Sequence, residues 1–377
     1  MSTSSIPRQD VLDANSTGNK TEGASFKFSE GHRLIRDLGR PKPILYWLDF
    51  LPCILIAHTL FMTMRYMHEI LPEDPSRAYL VQAILFPVCV ILYMRCAMFI
   101  HELAHFGDKL PYFRPVWNSL CGVPFLIPSF VYLPHLDHHR RKSYGTHEDG
   151  EYFPLTHMSR WYLVAFLLHN LLIPILAYLR FLVVSPICWV YPPARRWVHR
   201  HASTIVVDPF YERRDGSPEL MRLVVRQEAF CFVWLLWFTF GDWIMTGQLV
   251  SPMWFWGYLT GVAVLTLNAV RTLGAHRWTG DGRVMSFEEQ LLDTVNYPHR
   301  PWITELWGPI GTRYHALHHL FPSLPYHDAP EAHRRLMEGL PANSPYRETI
   351  RTSLLGEICE LWRRAGGRSS SSKTVAT

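Results

Sequence analysis

Four stretches of this chain are too long and too apolar for a soluble fold. A helix that crosses the hydrocarbon of a bilayer needs about 20 mostly apolar residues. Residues 44–64 (opening ILYWLDFLPCILIAH), 78–100 (AYLVQAILFPVCVILYMRCAMFI), 229–246 (AFCFVWLLWFTFGDWIMT) and 252–270 (PMWFWGYLTGVAVLTLNAV) meet that requirement. Asp49, Arg95 and Asp242 fall near span ends, where a charge can reach the interface. Only 18% of residues are charged, against about 25% in average soluble domains. We therefore expect an all-α integral membrane protein with four transmembrane helices.

Two further apolar stretches are interrupted: 117–133 by Pro124 and Pro128, and 161–190 by Pro174 and Arg180. Parity decides how they sit. Histidine-rich segments flank both, and these can share one site only if an even number of crossings separates them. The 229–246/252–270 hairpin already supplies two. The two stretches are therefore expected to lie at the interface or re-enter the bilayer. One crossing each would leave His135, His138 and His139 on the opposite face.

The loop GDWIMTGQLVSP has no Lys or Arg, whereas the N-terminal segment and every histidine-bearing segment carry several. Positive residues mark the cytoplasmic side, so both termini and all histidine segments are expected there. Residues 1–30 are polar, lack a signal-peptide core and read as a disordered tail, as does the end of the chain. The membrane domain is expected over 31–340, with a C-terminal helix and tail over 341–377. The excess of Arg over Lys points to a GC-rich bacterial genome, and so to a bacterial inner membrane. A net charge of +5 without a dense basic stripe fits membrane lipids as neighbours and argues against nucleic acid.

Twenty histidines are the anomaly. His101 and His105 form HELAH directly after the second span. His135, His138 and His139 form HLDHH, and His315, His318 and His319 form HALHH. On a helix, residues three and four apart share a face. The bland alternative, solvated or headgroup-binding imidazoles, does not account for three such boxes at membrane boundaries. Eight imidazoles exceed what one tetrahedral zinc can use and suit two metal ions. A nitrogen-rich, carboxylate-poor site accepts iron, which activates dioxygen. Each neutral imidazole then needs an acceptor for its other N–H. Glu102, Asp137, Asp149, Asp293 and His147 are candidates for that supporting layer.

The order HxxxH, HxxHH, hydrophobic hairpin, HxxHH resembles the membrane-bound fatty acid desaturase and hydroxylase superfamily, over about residues 44–340. The sequel HALHHLFPSLPYHDAPEAHRRL, and three residues between the first two histidines, resemble its acyl-lipid branch. The resemblance implies a cytoplasmic di-iron cap on four transmembrane helices, and a kinked acyl tunnel. It implies dehydrogenation of a fatty acyl lipid with dioxygen and two external electrons. It also implies a ninth ligand, His276, in the segment leaving the fourth span. In the acyl-CoA branch an asparagine one turn before that histidine reaches iron through water. Here Thr272 occupies that position and Asn268 lies a turn further back, which places Asn268 in doubt as a water-linked ligand.

No HPGG haem motif, four-cysteine cluster spacing or GxGxxG fingerprint appears, so electrons must come from a separate carrier such as a ferredoxin or a cytochrome-b5-like protein. A sibling hydroxylase or ketolase, acting on a fatty chain, an alkane or a carotenoid, would use the same ligands. A metal transporter would place ligands near the bilayer midplane, whereas these boxes sit at span ends.

Overall fold

The structure, a computed structural model, describes residues 26–247 and 252–366. Among the described residues it is helical, with only isolated bridges such as His276–Thr294 and Asn296–Tyr314. The helices used below are α1 (Phe28–Ile35), α2 (Pro43–Arg65), α3 (Pro75–Phe106), α4 (Trp161–His169), α5 (Ile173–Val190), α6 (Pro192–His201), α7 (Pro218–Thr246), α8 (Pro252–Leu273), α9 (Phe287–Asp293), α10 (Pro301–Trp307), α11 (His315–Leu320), α12 (Ala329–Gly339) and α13 (Leu354–Arg364).

The long helices begin where proline permits. Pro43, Pro75 and Pro218 occupy the first turns of α2, α3 and α7, where a missing N–H costs nothing. Asp74 and Ser217 cap α3 and α7 by accepting from Arg77 N and Leu220 N. Tyr46, Phe50, Ile54 and Ala57 recur at helical spacing and are fully buried in one cluster with Cys89, Cys96 and Phe99 of α3. On the outside Leu48, Leu55, Leu80 and Ile84 stay 57–63% exposed. An apolar outer surface of this kind belongs in lipid.

The 32 residues of α3 make a rod of about 48 Å, against about 30 Å of hydrocarbon. Part of it must therefore stand outside the hydrocarbon, and its last turns carry His101 and His105.

Five helices are long and apolar enough to cross a membrane: α2, α3, α5, α7 and α8. The first two and the last two coincide with the four expected spans. The fifth, α5, falls in the 161–190 stretch, where no full-length apolar helix is expected from sequence. Its flanks show the course of the chain. Before it, Leu155 and Leu163 share a buried cluster with Trp278, Met285 and Leu361. After it, Ile205 N donates to Val131 O (3.1 Å) and Val207 N to Gly150 O (2.7 Å). The chain thus leaves the histidine-bearing cap and returns to it. At only nine residues α4 is too short to cross. Its turn into α5 meets α8, where Tyr258 OH donates to Leu171 O (3.0 Å).

No helix of crossing length forms over 117–133. A π-helical turn, Asn118–Gly122, and a left-handed Leu126 (φ 57°) break it. Asn118 then clasps the returning strand of chain, accepting from Ser129 N (2.8 Å) and donating to Ser129 Oγ (3.0 Å).

The folded unit is wider than 31–340. Residues 28–30, expected in the tail, are helical in α1, and Arg335 of α12 pairs with Asp37 just beyond it at 2.6 Å. The remainder of that tail, residues 1–25, lies outside the described residues. Tyr346 and Thr349 are fully buried, and Asn296 N donates to Thr349 O (2.8 Å). α13 belongs to the same unit through Leu361, and residues 367–377 lie outside the described residues.

Glu228, wholly buried on α7, meets Arg180 of α5 at 2.5 Å and Arg195 of α6 at 2.7 Å. Removing one partner of a buried ion pair leaves an uncompensated charge, at a cost of about 3–5 kcal/mol. Glu228→Ala is expected to lower the melting temperature of detergent-purified protein sharply, and Glu228→Gln to lower it less. An unchanged melting temperature in both would show that the trio is not desolvated.

Candidate metal centre

The nine histidines come from four places in the chain. His101 and His105 end α3. His135 and His138 form a single helical turn, followed by His139. His276 lies in the loop leaving α8, and His315, His318 and His319 lie on α11. They converge in two groups. One is His101, His105, His135, His139 and His318; the other is His138, His276, His315 and His319. Within each group the candidate ligand atoms all lie within 4.8 Å of one another.

Both HxxHH boxes are split between the groups. The first and third histidines of a box are four apart and stack on one helical face. His135 and His139 thus share one group, and His315 and His319 the other. The middle histidine of each box, His138 or His318, turns to the opposite group. Sequence spacing alone assigned three imidazoles to one face; the fold makes each box a bridge.

Ring nitrogens face one another at short range: His139–His135 at 2.9 Å, His318–His139 at 2.9 Å, His315–His276 at 2.8 Å and His319–His315 at 3.1 Å, Nε2 to Nε2 in each case. Two imidazoles bound about 2.1 Å from one metal at a right angle would be about 3 Å apart. His105 Nε2 is buried with no hydrogen-bond partner. A buried polar atom without a partner is costly. The donor set and these facing lone pairs fit a pair of metal ions. Burial, followed by the neighbouring histidines, holds His135, His139, His318 and His319 well below the ordinary histidine pKa, so they stand as neutral ligands.

Carboxylates hold the outer ring nitrogens. His138 Nδ1 lies 2.8 and 3.0 Å from the two oxygens of Asp149, which also accept from Gly145 N and Glu151 N. Burial opposes charge on His138, but the Asp149 carboxylate outweighs it and raises the pKa. His135 Nδ1 meets Glu151 at 2.9 Å, and burial pushes that carboxyl up to about 7. His276 Nδ1 is 2.9 Å from Tyr144 OH, which donates to Asp293 at 2.7 Å. Burial pushes Asp293 up, but hydrogen bonds from His276 and Thr279 outweigh it and hold the carboxyl low. These contacts fix ring orientation, and hence which nitrogen faces inward.

Of the supporting residues expected from sequence, Asp149 and Asp293 take up that position. Glu102 lies 3.8 Å from His101 Nδ1, bonded to Tyr46 OH (2.5 Å) and Tyr326 N (3.3 Å). Three others are placed elsewhere. Asp137 pairs with Arg140 at 2.6 Å, because it points away from the turn that carries His135 and His138. His147 is exposed. Asn268 accepts from Arg271 Nε (3.1 Å), so its oxygen serves a guanidinium. Sequence reasoning missed Glu151, Tyr144, Arg271 and Tyr152, whose OH donates to Asp293 (3.1 Å). Glu151 stands two residues after Asp149, and Arg271 is a charge at a span end, which is a functional signal in itself. His333, outside both groups, is buried against Tyr346 OH (2.7 Å).

The family model for fatty acid desaturases matches residues 75–350, which contain all nine histidines. The chain is also 35% identical over 340 residues to a ceramide hydroxylase from Caulobacter vibrioides (strain NA1000 / CB15N), covering 88% of this chain and 92% of that protein. No solved structure matches.

Loss of a carboxylate behind a ligating histidine typically costs about 10–100-fold in metal affinity. Asp149→Ala is expected to lose metal to that extent, and Asp137→Ala to keep it, when bound metal is followed against rising chelator.

Proposed function

The chain belongs to the fatty acid desaturase family, an oxidoreductase superfamily of membrane desaturases and hydroxylases, and from that premise we propose that it hydroxylates a ceramide or a closely related sphingoid lipid. The observation that carries this reading is the near full-length similarity to a ceramide hydroxylase. The reaction turns a C–H bond into C–OH, consuming one dioxygen, two electrons and two protons and releasing one water. Two iron ions, when bound, supply the dioxygen activation.

The chain supplies the rest. One iron would sit among His101, His105, His135, His139 and His318, the other among His138, His276, His315 and His319. Asp149, Glu151 and Asp293 hold the rings in orientation. Burial of most of these histidines keeps bulk water from a site where stray reduction of oxygen would be wasteful. The electrons come from a separate carrier, a ferredoxin or cytochrome-b5-like protein. Arg140, Arg141 and Lys142 follow His139 directly and are exposed, a charge that would steer an acidic carrier towards the centre. The protein is read as an integral protein of a bacterial inner membrane, with the cap and both termini in the cytoplasm.

The sequel HLFPSLPYH, taken from sequence to favour desaturation, has structural work. His327 Nε2 accepts from Lys42 N (3.1 Å), and Tyr326 OH donates to Asp49 (3.2 Å). It ties α11 to the start of α2, a service that either reaction would need.

The test is expression in a ceramide-producing host with lipid mass spectrometry, beside His318→Ala and His319→Ala. The expected product is ceramide plus one oxygen atom, absent in both variants. Ceramide short of two hydrogens would return desaturation to the front. Purified protein is expected to hold about two irons per chain, as in two-metal sites; zinc alone would overturn the di-iron reading.

A further inference from the structure

Arg271 stands in the last turn of α8, five residues before His276, with 8% of its surface exposed. Its Nε donates to Asn268 Oδ1 and its Nη2 to Thr272 Oγ1, each at 3.1 Å. Among the described residues no carboxylate lies within ion-pair distance of it, and Nη1 has no hydrogen-bond partner. Of five N–H donors on a guanidinium, these contacts use two. Long helical side chains lean toward the N-terminus, and the bond to Asn268 shows that this one does. The guanidinium therefore lies on the membrane side of His276, where a lipid substrate must arrive.

Glu151 and Tyr132 act on the guanidinium electrostatically, but neither is hydrogen-bonded to it, so three of its N–H donors are left for other oxygens. His276, five residues further on, belongs to one of the two histidine groups, so Arg271 stands at the edge of the centre. Two metal dications would repel it. A charged group in such a place is disfavoured unless polar atoms meet its free donors. A helix C-terminus favours a cation, but a solvent-facing one would serve as well.

We infer that Arg271, flanked by Asn268 and Thr272, receives the oxygen-bearing head of the substrate, the amide and hydroxyl oxygens of a ceramide, and so presents a carbon within a few bonds of that head to the metal centre. The guanidinium fork suits a carbonyl and a hydroxyl side by side. A slot built for mid-chain oxidation would set only methylenes beside the metals, and a buried guanidinium would be out of place in it. This inference rests on the lipid-oxidation reading above and adds its regiochemistry.

The experiment uses detergent-purified, iron-counted wild type, Arg271→Met and Arg271→Lys with a short-chain ceramide. Three quantities are read: the position of oxidation by tandem mass spectrometry, KM against kcat, and the melting-temperature rise on adding ceramide without reductant. In wild type the new hydroxyl is expected near the head group. Arg271→Met is expected to keep its iron, lose the ceramide-induced rise, and raise KM about ten- to a hundredfold, the range for a lost charge-assisted hydrogen bond. Arg271→Lys is expected to fall between, because a point charge cannot fork. Wild-type oxidation at mid-chain would overturn the inference, as would iron loss in Arg271→Met, which marks a structural role, or an unchanged KM. Loss of two hydrogens beside the head group would end the hydroxylase reading and leave this one standing.

Discussion

Nine imidazoles turned inward in a dry space form the constraint on which the rest depends. Neighbouring Nε2 atoms stand 2.8–3.1 Å apart, and neutral rings at that range face lone pair to lone pair unless a proton or a metal intervenes. Burial disfavours charge on most of these rings, and the donor set fits a pair of metal ions. Everything around it serves to hold that geometry: one carboxylate behind His138, another behind His135, and a tyrosine–aspartate relay behind His276.

The membrane part answers the same demand. α3 is longer than the hydrocarbon is thick, and its last turns carry His101 and His105 to the histidine groups. The α4–α5 hairpin leaves the cap and returns to it, so the second box and His276 can meet although a long apolar stretch separates them. The buried trio of Glu228, Arg180 and Arg195 ties that hairpin to α7. A transporter would need its ligands within the bilayer; here they stand where the helices leave it.

The same ligands serve desaturases and hydroxylases, so the metal groups do not separate the two reactions. Discrimination falls to what lies between the centre and the lipid. Arg271 is the most informative group there, because it is buried and only two of its five N–H donors are taken up, by Asn268 and Thr272. It directs attention to the head of the substrate and away from the middle of its chain.

Much of this was legible in the residues. Runs of about 20 apolar residues can only be satisfied in lipid, where the backbone must bond to itself, and so α2, α3, α7 and α8 could be read directly. Eight of the ligand candidates were readable too, because HxxxH and HxxHH spacing declares a helical face; the ninth, His276, came only from the family resemblance. Other features are not local. Which histidine joins which group depends on how α3, the 135–139 turn and α11 approach one another. Asp149 and Asp137 are equally good acids in sequence, yet one reaches His138 and the other turns to Arg140. Tyr144 acts through Asp293, 149 residues away, a separation that no periodicity records. Sequence by itself determined the medium and the ligand types, since hydrophobicity and imidazole chemistry are properties of the residues. Tertiary structure alone decided the pairing, because pairing depends on distances between segments that the chain joins only by folding.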